Sequence, residues 1–340
     1  MDRVTLTDYD GAEPASRILA DAIRHLPFGP AKSLAYGNGL TLKRQHDLDY
    51  RRTAQDVGPE QAPAQSLAYA YDPAGRLQSA ADLAAPARSE AYGYDALDRL
   101  LTAQGGYGSL AYTYDATGSR TADYRDGAET LYGYDLASQR LQSLAGAKTD
   151  ALAHDANGNV TQAGGLEFLY APDQRLAAVR QDGNETAHYS YDAFGRRVGK
   201  ATAAGAASYN YDPEGRLLAE SGPPAAYAWL DGEPLARLGY APGGGSPDIL
   251  YYHNTPTGTP HTATDATGQV VWKGGAEPFG LAAPSDAGTG TAQPLRFPGQ
   301  HFDPETGLHY NMARYYAPWL GRYLQADPIG LGEELMDMYM

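Results

Sequence analysis

Polar and apolar positions alternate in short runs over most of the chain, and aspartate-containing turns separate the runs. The clearest unit reads YAYDPAGRLQS at 69–79. Side chains alternate between the two faces of a strand, so Y-x-Y places both rings on one face. The Asp opens a tight turn, because its side chain accepts backbone N–H groups two residues on. Each unit therefore predicts a β-hairpin.

About nine copies of this unit follow one another, two of them degraded, with a period near twenty residues. Their turn aspartates are Asp72, Asp95, Asp115, Asp135, Asp155, Asp173, Asp192, Asp212 and Asp231. A hairpin of this length cannot bury a core by itself, so stability has to be shared between stacked neighbours. The predicted fold class is all-β, an array of hairpins in one long twisted sheet.

Residues 1–60 begin in the middle of a pattern, and only Ser16 to His25 predicts a helix. A natural start and a fragment boundary at residue 1 both remain open. The first residues lack the charged and apolar regions of a signal peptide, and no apolar run is long enough to cross a membrane.

Composition agrees with a packed β protein. Tyr occurs 27 times against 6 Phe, with 40 Gly and 23 Pro. This is typical of strands with one solvent-exposed face that are joined by many turns. The net charge of −15 argues against nucleic acid and against an anionic membrane surface as partners. Cysteine is absent, and the eight histidines show no metal-ligand spacing, so neither a metal site nor a cofactor is predicted.

The densest motifs lie near the C-terminus: HFDPETGLHYN, ARYYAPWLGRYLQADP and a closing DPIGL. This run resembles the RHS-associated core of the rearrangement hotspot family, and the hairpin units resemble its tyrosine-aspartate (YD) repeat. Residues 249–280 resemble a further family segment, in which Thr255 and Pro256 stand where the family has Asp-His. The resulting division is a partial repeat block at 1–60, the YD array at 61–248, the third segment with a linker at 249–295, the core at 296–331 and a divergent tail at 332–340.

The resemblance implies a hollow β shell that encloses a C-terminal toxin, with a core block that acts as a self-cleaving aspartic-type peptidase. Asp303 and Asp327 match the family's carboxylates, and Arg314 and Arg322 are placed to orient them. Two carboxylates held close cannot both ionise, which suits them to peptide hydrolysis. Both aspartates also precede Pro in turn-like motifs, so a turn-only role stays open.

The end of the chain departs from the family, because no second DPxGL-type copy follows the first. The cleavage that remains lies between Leu331 and Gly332, and we expect the peptidase to be inactive here. The first hypothesis is thus a structural one: a fragment of an exported toxin-delivery shell that lacks its cargo, whose partners are a toxin or further shell segments. A self-cleaving peptidase and a carbohydrate-binding surface repeat, with glycans as partners, are the alternatives.

Overall fold

The computed structural model describes residues 2–8, 15–241, 245–282 and 293–326. Over these residues the chain is almost entirely β, with 31 strands and one short 3-10 turn, Pro86–Arg88. The chain divides into two compact units, each assembled from separate stretches of sequence.

Unit 1 comprises Met1–Glu90, Asn210–Ala276 and Ala282–Pro298. Its strands come from the first two of these stretches. Within each stretch, every strand pairs antiparallel with the strand next to it along the chain. The strands are β1 Val4–Asp8, β2 Ala15–His25, β3 Ala31–Tyr36, β4 Thr41–His46, β5 Arg52–Val57, β6 Gln65–Tyr71 and β7 Leu77–Asp82, then β22 Leu217–Ser221, β23 Pro224–Leu230, β24 Glu233–Gly239, β25 Asp248–Asn254, β26 Pro260–Thr264 and β27 Val270–Lys273.

Unit 2 comprises Ala91–Tyr209, Glu277–Leu281 and Gly299–Met340. Its repeat strands also pair in chain order, but they belong to two sheets that break between Ala151 and Ala153, and not to the one long sheet that was predicted. The motif-dense C-terminal run forms a separate four-stranded sheet. The strands are β8 Glu90–Tyr94, β9 Leu100–Gly105, β10 Gly108–Tyr114, β11 Arg120–Arg125, β12 Ala128–Tyr134, β13 Leu141–Gly146, β14 Asp150–Ala151, β15 Ala153–His154, β16 Val160–Ala163, β17 Leu166–Tyr170, β18 Leu176–Gln181, β19 Asn184–Tyr191, β20 Arg197–Thr202 and β21 Gly205–Tyr211, then β28 His301–Asp303, β29 Leu308–Asn311, β30 Arg314–Ala317 and β31 Arg322–Tyr323.

The hairpin between β6 and β7 shows how one repeat is built. Asp72 Oδ1 accepts the backbone N–H groups of Ala74 and Arg76 at 2.9 and 3.0 Å, and its Oδ2 accepts Arg76 Nε at 2.7 Å. Gly75 takes a φ of +85°, which a residue without a Cβ adopts at little cost. One carboxylate therefore fixes the turn, and the predicted hairpins are confirmed.

The two tyrosines of each repeat make different contacts. The first is buried in most repeats, as at Tyr112 and Tyr189, whereas Tyr92 is partly buried. A one-residue register shift precedes the second, whose hydroxyl donates to a carbonyl of the preceding hairpin: Tyr114 to Leu100 O at 2.8 Å and Tyr191 to Leu176 O at 2.6 Å. The ladder of rings thus links neighbouring hairpins.

Two further expectations differ from the structure. Ser16 to His25 is not helical but lies in β2, because β1 and β3 pair with it on either side and satisfy its backbone. The repeat turn near Asp173 is closed by Ala171, whose N–H donates to Arg175 O as the N–H of Asp72 donates to Arg76 O. Outside the predicted series, Asp47 and Asp265 form turns in which the aspartate side chain accepts the backbone N–H group four residues on, as at Asp72.

Candidate functional site

The structure singles out one position of the repeat, the first residue of the return strand. It is the fifth residue after the turn residue, except in the longer turn at Asp135, where it is the sixth, Leu141. It lies directly opposite the residue that ends the first strand, as in Tyr71 with Leu77 and Tyr170 with Leu176. Most copies carry Leu or Val there. Three carry arginine instead: Arg52, Arg120 and Arg197.

Arg197 is the most enclosed of these arginines, since its side chain is fully buried. Its guanidinium lies 5.3 Å from the ring centre of Tyr189 and 4.7 Å from that of Tyr209, the first tyrosines of its own and the next repeat. From the four-stranded sheet, the rings of Tyr310 and Tyr315 lie 4.4 and 5.8 Å away. Such faces attract a desolvated cation.

The counter-ion of Arg197 is Asp303, which ends β28 and is also fully buried. Arg197 Nη1 donates to Asp303 Oδ2, and Lys200 Nζ donates to Oδ1 at 2.9 Å. His301 Nδ1 lies 3.6 Å from the same Oδ1, and Lys200 also reaches Glu305 at 2.9 Å. The cluster therefore ties the repeat strand β20 to the C-terminal sheet of unit 2.

The electrostatics of this cluster favour an ionised carboxylate. Burial by itself would raise the pKa of Asp303, but Arg197, then His301 and Lys200, outweigh it and hold that pKa well below its usual range. The pKa of Lys200 is raised in turn: burial opposes its charge, and Asp303 more than compensates. Asp303 is a charged acceptor in this arrangement.

The other predicted site residues occupy different places. Arg314 lies over the ring of Tyr323, at 3.9 Å from its centre, and Arg322 Nη2 donates to Tyr134 OH at 2.7 Å. Asp327, Leu331 and Gly332 lie outside the described residues. The pairing of Asp303 with Asp327, and cleavage between Leu331 and Gly332, therefore stay predictions.

Sequence reasoning missed Arg197 and Lys200, although the repeat contained a signal for both. The copy YSYDAFGRRVGK has Arg where GRL is the common ending, and it adds a lysine three residues later. A cation at a position that otherwise points a Leu into the core needs a buried partner.

Unit 1 contains a related cluster around Arg52. Glu233 accepts Arg52 Nη2 on Oε1 at 2.8 Å and Arg44 Nη2 on Oε2 at 2.5 Å. Arg52 Nη1 also donates to the carbonyls of Asn254 and Thr255. Here too, an arginine in the repeat's Leu position meets a carboxylate from a distant part of the sequence.

Two searches of the described residues gave negative results. Between residues 2 and 326, leaving out the undescribed gaps, no group of three or more His, Asp or Glu side chains is placed to hold a metal ion. Across the same ranges, no helix has the length and apolar character needed to cross a membrane.

Comparison with known proteins decides the family. The sequence model of the Teneurin YD-shell matches residues 31–211, more than half of the chain. The chain belongs to the YD-shell family. The model described as RHS protein matches residues 249–286, so the predicted RHS relationship is confirmed.

Two curated relatives of this YD-shell chain are toxins. Double-stranded DNA deaminase toxin A of Burkholderia cenocepacia is 31% identical over 227 residues, which cover 65% of this chain and 14% of that toxin. Toxin protein Tse5 of Pseudomonas aeruginosa is 30% identical over an alignment of 394 positions including gaps, which covers 95% of this chain and 28% of Tse5. The chain thus spans less than a third of either relative.

Solved structures share the fold. A Photorhabdus luminescens Tc holotoxin pore with a mutant TccC3 matches with a TM-score of 0.79 at 19% identity, covering 97% of this chain and 18% of that one. The crystal structure of TcdB2-TccC3-TEV matches equally well, with a TM-score of 0.79, 20% identity, and coverage of 97% and 19%. The all-β hairpin fold predicted from sequence is confirmed.

Proposed function

We propose that this chain forms part of the wall of an RHS shell that encloses and delivers a toxin. The observation that carries the proposal is the order of the hairpins, which pair with their chain neighbours through the repeats of each unit apart from one break between β14 and β15. An array of this kind builds a continuous surface from local contacts, as a wall requires. The curated relatives are named as toxins and are much longer than this chain, which supports a share in a larger assembly.

The partners of this role are a toxin cargo and further shell segments, and its place of action is outside the producing cell. Glycan binding finds less support, because the first tyrosine is buried in most repeats and second tyrosines such as Tyr114 and Tyr191 bond to the preceding hairpin. The scaffold role therefore accounts for more of the aromatic residues than a sugar-binding surface does.

If the shell wall encloses a C-terminal segment, that segment should be protected from proteases in the native protein. We would express the complete gene that encodes it, with an epitope tag after the last residue, and treat the native protein with trypsin. The tag should survive in the native protein and disappear once mild denaturant opens the wall. A tag cut equally fast in both conditions would contradict enclosure.

Self-cleavage by Asp303 and Asp327 is the second candidate. The supporting observation is that Asp303, one of the two carboxylates marked by the family motif, is fully buried and ionised. Its lowered pKa makes it a weak base, so it would serve this role only if substrate binding displaced one of its cations. Asp327 would then be the member that keeps its proton. In this proposal Arg197 and Lys200, rather than Arg314 and Arg322, set the charge of Asp303.

The intact mass of freshly purified protein tests this proposal. A working site predicts a mass short by the nine residues after Leu331, and a full-length mass in both Asp303→Asn and Asp327→Asn. Arg180→Gln serves as a comparison, since Arg180 forms a partly exposed ion pair with Glu167. A full-length mass in the unsubstituted protein would rule out self-cleavage and leave the scaffold role intact.

A further inference from the structure

The three arginines in the repeat's Leu position are not equally neutralised. Arg52 meets Glu233, and Arg197 meets Asp303. In contrast, none of the described carboxylates forms an ion pair with Arg120. Each of the first two arginines uses both terminal nitrogens in hydrogen bonds. Within the described residues, Arg120 makes one such bond, from Nη1 to Tyr132 OH at 3.2 Å.

Arg120 nevertheless has the same aromatic surroundings. Its guanidinium lies 5.1 Å from the ring centre of Tyr112 and 5.4 Å from that of Tyr132, the first tyrosines of its own and the next repeat. Phe279 completes the enclosure at 3.9 Å. Rings that stack on the guanidinium face leave its in-plane N–H groups for an acceptor. The arrangement therefore repeats that of Arg197 without a carboxylate in direct contact. The Tyr132 hydroxyl that accepts from Arg120 donates in turn to Asp123 at 2.7 Å, and Arg120 is partly exposed whereas Arg52 and Arg197 are buried.

A cavity lies beside Arg120, where the centre of a water-sized sphere can move through about 20 Å³. Arg125 and Lys148 also line it, together with the carboxylates of Asp123 and Glu277. Arg125 pairs with Glu277 at 2.6 Å, and Lys148 lies 3.8 Å from Asp123. Three cations against two carboxylates leave the lining with one positive charge, that of Arg120.

The unpaired polar atoms of this lining are donors. Arg120 Nε and Trp319 Nε1 are buried and have no hydrogen-bond acceptor within the described part of the chain. Arg52 and Arg197 also have an unpaired Nε, so the distinguishing features at Arg120 are its unused Nη2 and the adjoining space. A water molecule could accept from these donors but would bring two hydrogens of its own. An anion only accepts, and it also balances the charge.

We propose that the Arg120 cavity binds a small monovalent anion, a halide or a carboxylate group, which takes the place that Asp303 occupies at Arg197. The available space limits the ligand to about this size. The anion would complete the third of the three arginine sites and hold the strands around the partly exposed Arg120, as the internal carboxylates hold those around the buried Arg52 and Arg197.

The quadrupolar NMR line width of chloride tests the site directly. The unsubstituted protein should broaden the line at constant ionic strength set with gluconate, and added formate should remove that excess. Arg120→Leu should lose the excess, and it restores the residue common at this repeat position. Arg180→Leu is the matched control, because it removes one positive charge from a partly exposed pair with Glu167 and should keep the broadening.

Equal line widths for the unsubstituted protein and Arg120→Leu would overturn the proposal, and would mean that water or nothing fills the cavity. If Arg120→Leu fails to fold, the melting temperature of the unsubstituted protein decides the question. It should be higher in chloride than in gluconate at equal ionic strength, since a ligand that binds only the native state stabilises it. An unchanged melting temperature would likewise overturn the proposal.

Discussion

Arg197→Leu is expected to destabilise unit 2 by roughly 3–5 kcal/mol, the usual cost of removing one partner from a buried ion pair. The loss arises because Asp303 stays in the core with Lys200 as its remaining close cation. Leucine itself is acceptable in this position, since neighbouring repeats carry it. Hydrogen exchange of peptides from β19 and β20 measures the change. At about 1.4 kcal/mol per factor of ten, exchange should accelerate by about a hundredfold or more.

Two further variants separate the lost pair from lost packing. Arg197→Leu combined with Asp303→Leu removes both charges, and it should recover most of the stability because an apolar pair needs no counter-ion. Arg180→Leu, which breaks an exposed pair with Glu167, should leave exchange in these strands unchanged. If the double variant were no more stable than the single one, the stability lost in Arg197→Leu would come from packing around the tyrosine rings and not from the unpaired carboxylate of Asp303.

The pH dependence offers a second measurement of the same pair. The native pKa of Asp303 is lowered, so its contribution is fully present above the pKa of an unfolded Asp, about 4, and is lost as pH falls further toward the native value. Stability should therefore decline below about pH 4 in the unsubstituted protein. In Arg197→Leu that part of the decline should be smaller, because the pKa of Asp303 is no longer held so low.

The hairpins could be predicted because their signals are local. Asp72 and Gly75 lie within four residues of each other and define a turn without reference to the rest of the chain. The strand Ala15–His25 was missed because its neighbours, not its own residues, determine its conformation. Asp173 was assigned to the turn position because it is the nearest acid, whereas the backbone places Ala171 there.

The charged clusters were harder to predict because their members are far apart in sequence. Asp303 was chosen from a motif, but its partner Arg197 lies 106 positions earlier, within a repeat. Aligning the repeats on their turn residue would have drawn attention to Arg197 and Arg120, since arginine interrupts a series of leucines. That alignment identifies the cations, but only the folded chain shows that one meets a carboxylate and the other a cavity.

Glu233→Gln should be the most damaging single substitution in unit 1, again by about 3–5 kcal/mol. Burial raises the pKa of Glu233, but Arg44 and then Arg52 outweigh it and keep the side chain charged. The neutral amide would leave two buried arginines facing each other, and one nitrogen would replace an accepting oxygen. Hydrogen exchange of peptides from β4, β5 and β24 would report the loss.

Asp21→Asn is the matched control in the same unit, because its pair with Arg3 is exposed and should contribute little. Adding Arg52→Leu to Glu233→Gln removes one of the two stranded charges and restores the common repeat residue, so it should recover part of the stability. Arg44 would then keep Gln55 as an acceptor for its Nε. If Glu233→Gln were as harmless as Asp21→Asn, water would have to reach the two arginines. The repeat's Leu position would then tolerate an arginine without a buried counter-ion, which would remove the reason to expect an anion beside Arg120.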